Sequence, residues 1–376
     1  MKNNIKPRKT FGLLRGKRIA STSGIVVLSI VIAFLIGELI AKIVVHINPV
    51  APPPIVCTET EIRYVPNWKG ICRYSGTYKA QTNSMGLRER ELPFKKKDGV
   101  FRLLFLGDSI TYGPGVETDK TFVRIIENLL NTNSGGRKFE TINAGVGGAS
   151  TIQEITLLKK IGFKYQPDIV ILNFYLNDIR PPVSSIQQPV FSIQYVRGYL
   201  YKKSELYKLF KKGYCNLRLK LLHNEVPLSE WWNANIIKRE NWKKDKETFY
   251  ELLYQPSAAG DWGMPFILQW RDYFYEKTRE YLRGLKQLGE ENNFKLIIVC
   301  FPVYFQVGSD FLEDEPQKRL SLIVQEENIP FLDLLPYLRE SVGAGLPCPY
   351  LDHCHLSQEG HKLVAEKIYQ FIRAIL

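Results

Sequence analysis

The sequence predicts an α/β protein, namely a three-layer α/β/α sandwich with a mostly parallel central sheet. Apolar runs at residues 101–106, 168–174 and 295–301 alternate poorly, which is typical of strands buried on both faces of a sheet. Segments with apolar residues at helical spacing lie between these runs. Because strands that alternate with helices form parallel sheets covered on both faces, this order of elements predicts the sandwich.

The predicted elements follow one another from residue 101 to the carboxyl end. Strands are predicted at residues 101–106, 139–143, 168–174, 295–301 and 330–332. Helices are predicted at residues 121–131, 151–162, 270–292 and 316–327, and from Ser357 to near Leu376. Ser357 is a suitable N-cap for the last helix, since its hydroxyl can accept a hydrogen bond from the first turn.

Two regions do not fit this alternation. Residues 57–94 carry Tyr, Trp and Gly without a clear period, which predicts an irregular leader or a small β-rich cap. Residues 179–266 are too long for a plain loop and contain four of the six Trp residues. We interpret them as a partly helical insertion forming a lid or substrate wall, with a small satellite core as an equal alternative. The main domain then spans residues 99–376, after a linker and cap at residues 48–98.

The amino end predicts a membrane anchor. The chain has 376 residues and a net charge of +13, of which seven Lys and Arg residues before residue 19 supply +7 and leave +6. This basic tail, residues 1–23, precedes residues 24–47, which are long and apolar enough to cross a bilayer as a helix. Glu38 and Lys42 are spaced to pair on one face of that helix. The basic charge therefore belongs to the tail and does not indicate a nucleic-acid partner.

The charge of the tail also predicts the orientation of the chain. The positive-inside rule keeps the tail in the cytoplasm and places the residues after the anchor on the periplasmic or extracellular side. A cleaved signal peptide is the competing interpretation, but the apolar run exceeds the usual ~7–15 residues and no A-x-A-like site follows. A buried globular helix is a third interpretation, disfavoured by the tail and by the proline linker at residues 52–54. The expectation is a single-pass protein with an uncleaved signal-anchor.

All six cysteines follow the predicted anchor, so an exported location permits disulfides. They are Cys57, Cys72, Cys215, Cys300, Cys348 and Cys354. Cys57 with Cys72 and Cys348 with Cys354 are the nearest pairs in the sequence, and the connectivity stays open. Cys300 lies in a strand-like run and is expected to be a buried small hydrophobic residue.

A candidate nucleophile follows the first predicted strand. Gly107, Asp108 and Ser109 come directly after residues 101–106, and Gly107 allows a sharp turn where the strand stops. Open α/β sheets bind their ligands at the carboxyl edge of the strands, where this turn presents Ser109. Gly-Asp-Ser is also ordinary turn chemistry, so the serine gains meaning only with a base that takes its proton.

Two later segments supply groups that can stabilise an oxyanion. Residues 143–148 follow the second strand, and their glycines allow close backbone approach, so that one amide can donate to an oxyanion. The segment does not match the dinucleotide-binding fingerprint G-x-G-x-x-G, because Ser150 occupies the last glycine position. Asn177 follows the third strand, where its amide can donate to an oxyanion, although Asn-Asp is also a common turn pair.

A candidate base precedes the last helix. Asp352 and His355 are three residues apart, close enough for the carboxylate to orient the imidazole. His355 then accepts the proton of Ser109, while Asp352 holds the tautomer and stabilises the imidazolium. The alternative is a zinc site built from Cys348, His353, Cys354 and His355. Zinc is disfavoured because adjacent side chains cannot easily all reach one tetrahedral ion.

Together and in this order, these segments resemble the GDSL/SGNH hydrolase superfamily over residues 101–376 without the insertion. By this resemblance Ser109 is the nucleophile, and Asp352 and His355 complete a catalytic triad. Residues 83–88 also look like a segment that precedes the catalytic domain in many exported bacterial relatives. The resemblance implies the flavodoxin-like sandwich that the element order predicts independently.

The resemblance also implies an oxyanion hole. Its donors are the Ser109 amide, the Gly148 amide and the Asn177 side chain. Tyr175 is a departure, since the third block of the family usually has glycine at this position. The nucleophile elbow of α/β-hydrolases, G-x-S-x-G, is absent because Thr111 occupies the second glycine position.

The resemblance implies a serine esterase that hydrolyses small, acetyl-like acyl esters. The predicted exported location and the aromatic insertion extend this hypothesis to acylated envelope carbohydrate. One alternative is an O-acyltransferase of a cell-envelope polysaccharide, and another is a non-catalytic binding or assembly subunit with the same fold. The chemistry needs no metal or organic cofactor, and the expected partners are the ester substrate and the membrane. The oligomeric state stays open.

Overall fold

The computed structural model describes residues 26, 28–40, 53–58, 60–73, 75–133, 135–175, 204, 206, 272–309, 314–352 and 354–376. The chain divides into two compact units. One unit comprises Met1–Pro49 and Gln188–Asn224, and the other comprises Val50–Gln187 and Glu225–Leu376. The predicted insertion at residues 179–266 lies outside the described residues, apart from residues 204 and 206.

The second unit begins with two antiparallel hairpins, which together with the chain up to Arg88 we name the N-terminal cap. Strands β1 (Ile55–Cys57) and β2 (Ile62–Tyr64) form the first hairpin. Strands β3 (Lys69–Arg73) and β4 (Thr77–Gln81) form the second. Alternate residues of β4 are buried, as expected for a strand with one face on a core. Of the two forms predicted for this region, the small β-rich cap matches these hairpins.

The central element of the second unit is a parallel sheet of five strands. They are β5 (Val100–Gly107), β6 (Lys138–Gly145), β7 (Ile169–Tyr175), β8 (Lys295–Phe301) and β9 (Phe331–Asp333). Their order across the sheet is β6-β5-β7-β8-β9, and every neighbouring pair is parallel. The strand that ends at Gly107 therefore lies between two parallel neighbours, and its carboxyl end opens at the edge where such sheets bind ligands.

Helices cover both faces of the sheet. They are α1 (Ser109–Tyr112), α2 (Phe122–Thr132), α3 (Thr151–Lys160), α4 (Asp272–Asn292), α5 (Tyr304–Gly308), α6 (Glu315–Glu326), α7 (Leu335–Gly343) and α8 (Gln358–Ile375). Leu103 and Phe105 point to a core formed with α2, α5, α7 and α8. Leu104 and Leu106 point to the opposite core, formed with α3, α4, α6 and the N-terminal cap. The predicted α/β/α sandwich with a parallel sheet is confirmed.

The predicted element boundaries agree with the structure to within a few residues. The sequence predicts a strand at residues 295–301, and β8 occupies those residues. Ser357 is the N-cap of α8, and its hydroxyl accepts a hydrogen bond from Gly360 N at 3.0 Å. Helices α5 and α7 were not expected. Helix α7 has a proline in its first turn. A proline at this position is compatible with a helix, but in a sequence it is equally typical of a loop.

The described part of the first unit includes residues 26 and 28–40 of the predicted anchor. Residues 28–40 are helical, and most of their apolar side chains are exposed. The Glu38 carboxylate accepts hydrogen bonds from Ser204 Oγ at 2.6 Å and from Leu206 N at 3.1 Å. Lys42 lies outside the described residues, so its pairing with Glu38 stays a prediction. Among the residues that the structure describes, none of the helices combines the length and the apolarity required for spanning a membrane.

The described cysteines differ in exposure. Cys300 is buried within β8, as the sequence predicts. In each of the two pairs that are nearest in sequence, one cysteine is exposed and the other is buried. Cys57 and Cys348 are exposed, whereas Cys72 and Cys354 are buried. Cys215 lies outside the described residues.

Arg88 ties the N-terminal cap to the loop that follows α1. Its side chain is fully buried, and its guanidinium donates hydrogen bonds to the backbone carbonyls of Tyr112, Gly113 and Val116. The guanidinium carbon also lies 4.9 Å from the ring centre of Tyr78 and 4.7 Å from that of Tyr112. A planar group with several fixed donors suits this position, because it satisfies carbonyls that would otherwise be buried without a partner.

Replacing Arg88 with methionine is expected to lower the free energy of unfolding by about 3 kcal/mol or more, since buried carbonyls lose their donors. Urea unfolding of the Arg88→Met variant and the parent measures this difference. Arg137→Met is the matched control, because Arg137 is exposed and lies over one ring, that of Phe101. A midpoint for Arg88→Met equal to that of the control would contradict the bracing role of Arg88.

Candidate active site

The turn after β5 places Ser109 at the carboxyl edge of the sheet. Gly107 has a φ of +151°, and a Cβ at this position would lie 2.1 Å from Thr111 Oγ1. Only glycine fits such a conformation and such a close approach. Asp108 then caps α1, because its side chain accepts a hydrogen bond from Ile110 N at 2.8 Å. Ser109 is consequently the first residue of a helix, and it is half-buried at the protein surface.

Two asparagines of the neighbouring strands hold α1 in place. Asn143 of β6 donates from Nδ2 to the carbonyl oxygen of Thr111 at 2.8 Å. Asn173 of β7 donates from Nδ2 to Thr111 Oγ1 at 3.0 Å. Thr111, which replaces the second glycine of the α/β-hydrolase elbow, is therefore the residue through which the helix that carries Ser109 is bonded to the sheet.

The structure brings Ser109, His355 and Asp352 together. His355 Nε2 lies 3.0 Å from Ser109 Oγ, and His355 Nδ1 lies 2.8 Å from Asp352 Oδ2. Because a carboxylate accepts at Nδ1, the proton of a neutral imidazole is held there and Nε2 faces the serine as an acceptor. His355 is only 1% exposed, so its ring orientation is fixed by the surrounding residues.

The loop before α8 orients the carboxylate of Asp352. Asp352 Oδ1 accepts hydrogen bonds from the backbone N–H groups of Cys354 at 2.9 Å and His355 at 2.8 Å. Leu351 N donates to the carbonyl oxygen of His355 at 2.7 Å and closes the loop. The spacing of three residues that the sequence singled out therefore produces a tight turn in which carboxylate and imidazole face each other.

The glycine-rich segment after β6 lies beside Ser109. A Cβ at Gly147 would lie 3.9 Å from the Cβ of Ser109. The N–H of Gly147 donates to Tyr64 Oη at 2.8 Å, so the N-terminal cap holds this segment and takes up that donor. Gly148 follows with a φ of +75°, in space where a Cβ would meet no described atom within 4 Å. Asn177, the other predicted donor, lies outside the described residues.

The zinc alternative fits the site less well than proton transfer does. Cys348 is exposed, and His353 lies outside the described residues. Asp352, Cys354 and His355 bring possible ligand atoms within 4.8 Å of one another. The carboxylate and imidazole of this group are hydrogen-bonded to each other, which is the arrangement that proton transfer requires.

A buried acid lies close to the turn that carries Asp108 and Ser109. Glu154 of α3 is fully buried, and within the described part of the chain neither of its carboxyl oxygens has a hydrogen-bond partner. Burial raises the pKa of Glu154 well above its usual value, and the negative charge of Asp108 raises it further. Burial and the nearby charge of Asp108 therefore favour the protonated form of this carboxyl group in the folded protein.

Glu154 is expected to make stability depend on pH. Folding raises the pKa of Glu154, so this group contributes to the free energy of unfolding. The contribution is fully present below the unfolded-state pKa of about 4.3 and is lost as the pH rises through the folded-state pKa. Glutamine does not ionise, so Glu154→Gln does not lose stability in this way. The variant is expected to gain stability relative to the parent as the pH rises. Urea unfolding in acidic and in mildly alkaline buffer measures the gain. A difference between variant and parent that is independent of pH would refute the assignment.

Some groups at the site give no signal in the sequence. Ser75, in the turn between β3 and β4, places its hydroxyl 2.6 Å from Asp352 Oδ2 and 3.0 Å from His355 Nδ1. Tyr64 and Ser75 both belong to the N-terminal cap, in a region without a periodic pattern. A serine before a glycine is typical of a hairpin turn, so only the tertiary structure distinguishes Ser75 from a turn residue.

The described residues thus combine a parallel α/β/α sandwich with a hydrogen-bonded Ser–His–Asp group at the carboxyl ends of its strands. Fold and site together define the class of SGNH-type serine hydrolases, which act on esters. The sequence model of the GDSL-like lipase/acylhydrolase family matches residues 105–363. The chain belongs to this family.

Individual relatives are distant. The acetyl xylan esterase AlAXEase is 13% identical, with a TM-score of 0.40 over 72% of this chain and 98% of that one. A variant of Axe2, an acetyl xylan esterase from Geobacillus stearothermophilus, is 15% identical, with a TM-score of 0.42 over 72% of this chain and 94% of that one. A curated protein of Mycoplasma pneumoniae, described as uncharacterized, is 25% identical over 158 residues, which are 40% of this chain and 15% of that protein. The match thus spans a small part of that relative's length.

Proposed function

We propose that the chain is a serine esterase that hydrolyses small acyl esters through Ser109, His355 and Asp352. One observation carries the proposal: a continuous hydrogen-bonded path joins Ser109 Oγ to His355 Nε2 at 3.0 Å and His355 Nδ1 to Asp352 Oδ2 at 2.8 Å. A hydroxyl beside a base that is itself oriented by a carboxylate is the arrangement that activates serine for acyl transfer.

In the first half-reaction, Ser109 Oγ attacks the ester carbonyl while its proton passes to His355 Nε2. Negative charge develops on the carbonyl oxygen, and the proposed donors to it are the N–H of Ser109, the N–H of Gly148 and the side chain of Asn177. The tetrahedral intermediate collapses, the C–O bond to the alcohol breaks, and the alcohol leaves with the proton from His355. Acylated Ser109 remains.

In the second half-reaction, water attacks the acyl group while His355 accepts a proton from it. The bond to Ser109 Oγ then breaks, the serine regains its proton from His355, and the carboxylic acid leaves. Asp352 holds the imidazole in the same tautomer throughout and stabilises the imidazolium that forms twice per cycle. Each of the three side chains thus has one role that its contacts support.

For the substrate, we propose acyl groups on an envelope carbohydrate. The proposal is supported by the predicted export of the main domain and by the Trp-rich insertion, whose rings suit stacking on sugars. The same acyl-serine can pass its acyl group to a sugar hydroxyl instead of water. Transfer and hydrolysis therefore share every step up to the acyl-enzyme and differ only in the acceptor.

We also propose that residues 24–47 anchor the chain in a membrane, with the basic tail in the cytoplasm and the main domain exported. The exposed apolar side chains of residues 28–40 support this, since exposed apolar surface of this kind calls for an apolar environment. Partition of the full-length chain into the membrane fraction, resistant to alkaline carbonate washing, tests the proposal. Release of the chain by the wash would count against an anchor.

The esterase activity is tested with the full-length chain purified in detergent and p-nitrophenyl acetate. We expect release of p-nitrophenol and a covalently acetylated Ser109 detectable by mass spectrometry after rapid quenching. Acetylated glycan then replaces the chromogenic ester, with free acetate and acetylated acceptor measured side by side. Failure of a folded chain to form any acyl-serine with either ester would overturn the proposal. Acyl transfer without release of acetate would replace hydrolysis by transferase activity.

A further inference from the structure

A serine from the N-terminal cap reaches the acid–base pair of the active site. Ser75 Oγ lies 2.6 Å from Asp352 Oδ2 and 3.0 Å from His355 Nδ1. Ser75 is 277 residues from Asp352 in the sequence and belongs to the N-terminal cap. The contact therefore exists only because the cap is folded against the carboxyl edge of the sheet.

The position of Ser75 is determined by its surroundings. Residues Arg73 and Thr77 pair at the end of the second hairpin, so Ser75 lies in the short turn between them. Its φ is +53°, a left-handed conformation that L-residues rarely adopt. A Cβ at Gly115 would lie 2.2 Å from the carbonyl oxygen of Ser75, so the turn packs closely on the loop after α1. An uncommon backbone conformation and tight packing both serve to place this one side chain.

The hydroxyl of Ser75 adds to the hydrogen bonding of the carboxylate. Asp352 Oδ1 accepts hydrogen bonds from Cys354 N and His355 N, and Oδ2 accepts from His355 Nδ1 and Ser75 Oγ. The proton of Ser75 points to Asp352, which leaves a lone pair of its oxygen facing the Nδ1–H of His355. The same N–H is therefore shared between a carboxylate oxygen and a hydroxyl oxygen.

This sharing has a consequence for catalysis. Cys354 Sγ also lies 3.4 Å from Nδ1. Two oxygen acceptors beside Nδ1 define the plane of the imidazole more narrowly than one does, and they keep Nε2 directed at Ser109 Oγ. Donation from Ser75 also fixes Asp352 Oδ2, so the carboxylate cannot rotate away when the imidazole becomes charged. Charge-assisted hydrogen bonds of this type are stronger than neutral ones, so their loss is felt in the transition state, where the imidazolium is formed.

We propose that Ser75 is a positioning residue of the active site, acting through Asp352 and His355, and that the N-terminal cap is thereby part of the catalytic unit. This inference rests on the proposed function of the triad. Tyr64, which accepts from Gly147 N, shows that the cap also contacts the glycine segment beside the nucleophile. The cap thus fastens both the acid–base half of the site and this segment.

The test separates the effect of losing the Ser75 hydroxyl from the effect of destabilising the turn that carries it. Ser75→Gly removes the hydroxyl and suits the positive φ, whereas Ser75→Ala removes the hydroxyl without that benefit. Ser75→Thr keeps the hydroxyl but places a β-branched residue at a positive φ, which costs stability. Thr77→Ala, in the exposed part of the same hairpin, is the matched control. All are assayed as full-length chains with p-nitrophenyl acetate and by urea unfolding.

A positioning role predicts that activity follows the hydroxyl and not the stability. We expect kcat to fall about 10-fold in both Ser75→Gly and Ser75→Ala, with KM changed by less than about two-fold. Ser75→Thr is expected to retain most of the parent kcat although it unfolds at lower urea concentration. Thr77→Ala is expected to match the parent in kcat.

Failure of the positioning role of Ser75 and failure of the proposed function give different results. If Ser109→Ala lowers activity while Ser75→Gly and Ser75→Ala keep the parent kcat, the positioning role is wrong and the triad stands. If kcat across the Ser75 variants tracks their unfolding midpoints, Ser75 acts through the turn alone and the inference is again wrong. If Ser109→Ala retains full activity, the proposed function itself fails, whatever the Ser75 variants show.

Discussion

Ser109→Ala is expected to lower kcat for p-nitrophenyl acetate by about 10⁴-fold or more, the range seen when a serine hydrolase loses its nucleophile. The variant removes the oxygen that lies 3.0 Å from His355 Nε2, so no acyl-enzyme can form at this position. Residual turnover is expected from the oxyanion donors and substrate binding, which do not depend on the serine Oγ. The measurement is steady-state hydrolysis combined with mass spectrometry of the quenched protein.

A matched serine controls for the loss of a hydroxyl. Ser321 of α6 lies away from the sheet edge and accepts a hydrogen bond from Gln325 Nε2 at 3.3 Å near the protein surface. Ser321→Ala is expected to keep the parent kcat and the acetylated Ser109. If Ser109→Ala and Ser321→Ala hydrolyse the ester equally fast, the activity arises elsewhere and Ser109 is not the nucleophile.

The elements that the sequence predicts well are those with a local pattern. A parallel strand buried on both faces is a continuous apolar run, and β5, β7 and β8 are runs of this kind. Strands β5 and β6 end at a glycine and β9 ends at an aspartate, and the carboxyl ends of the parallel strands meet at one edge of the sheet. Ser109 and the Asp352–His355 pair could therefore be placed at one site from their positions relative to strands and helices.

The contacts that the sequence misses join residues far apart in the chain without a repeating pattern. Ser75 and Tyr64 look like ordinary members of a Tyr- and Gly-containing segment, and nothing local distinguishes them from their neighbours. Arg88 has a charged side chain, which composition alone assigns to the surface, yet it is fully buried because three carbonyls and two rings surround it. These are tertiary effects, and they concern the N-terminal cap, the part that the resemblance describes least.

Asp352→Asn is expected to lower kcat by about 10⁴-fold, because an amide at this position changes which imidazole nitrogen carries the proton. The backbone N–H groups of Cys354 and His355 both donate to Asp352 Oδ1, so they hold the carbonyl of the asparagine at that place. Its NH₂ group then faces His355 Nδ1 as a donor. The imidazole must present a lone pair to it, and the proton moves to Nε2, where it blocks acceptance from Ser109.

Two further variants separate the change of tautomer in Asp352→Asn from a simple loss of charge. Asp119→Asn removes one negative charge at a side chain that is 68% exposed, and it is expected to leave kcat unchanged. Asp352→Ala, which offers neither donor nor acceptor, is expected to retain more activity than Asp352→Asn, since Ser75 Oγ at 3.0 Å can still accept from Nδ1. If Asp352→Asn were as active as Asp119→Asn, the carboxylate would not set the tautomer, and the imidazole would be oriented by Ser75 and the loop alone.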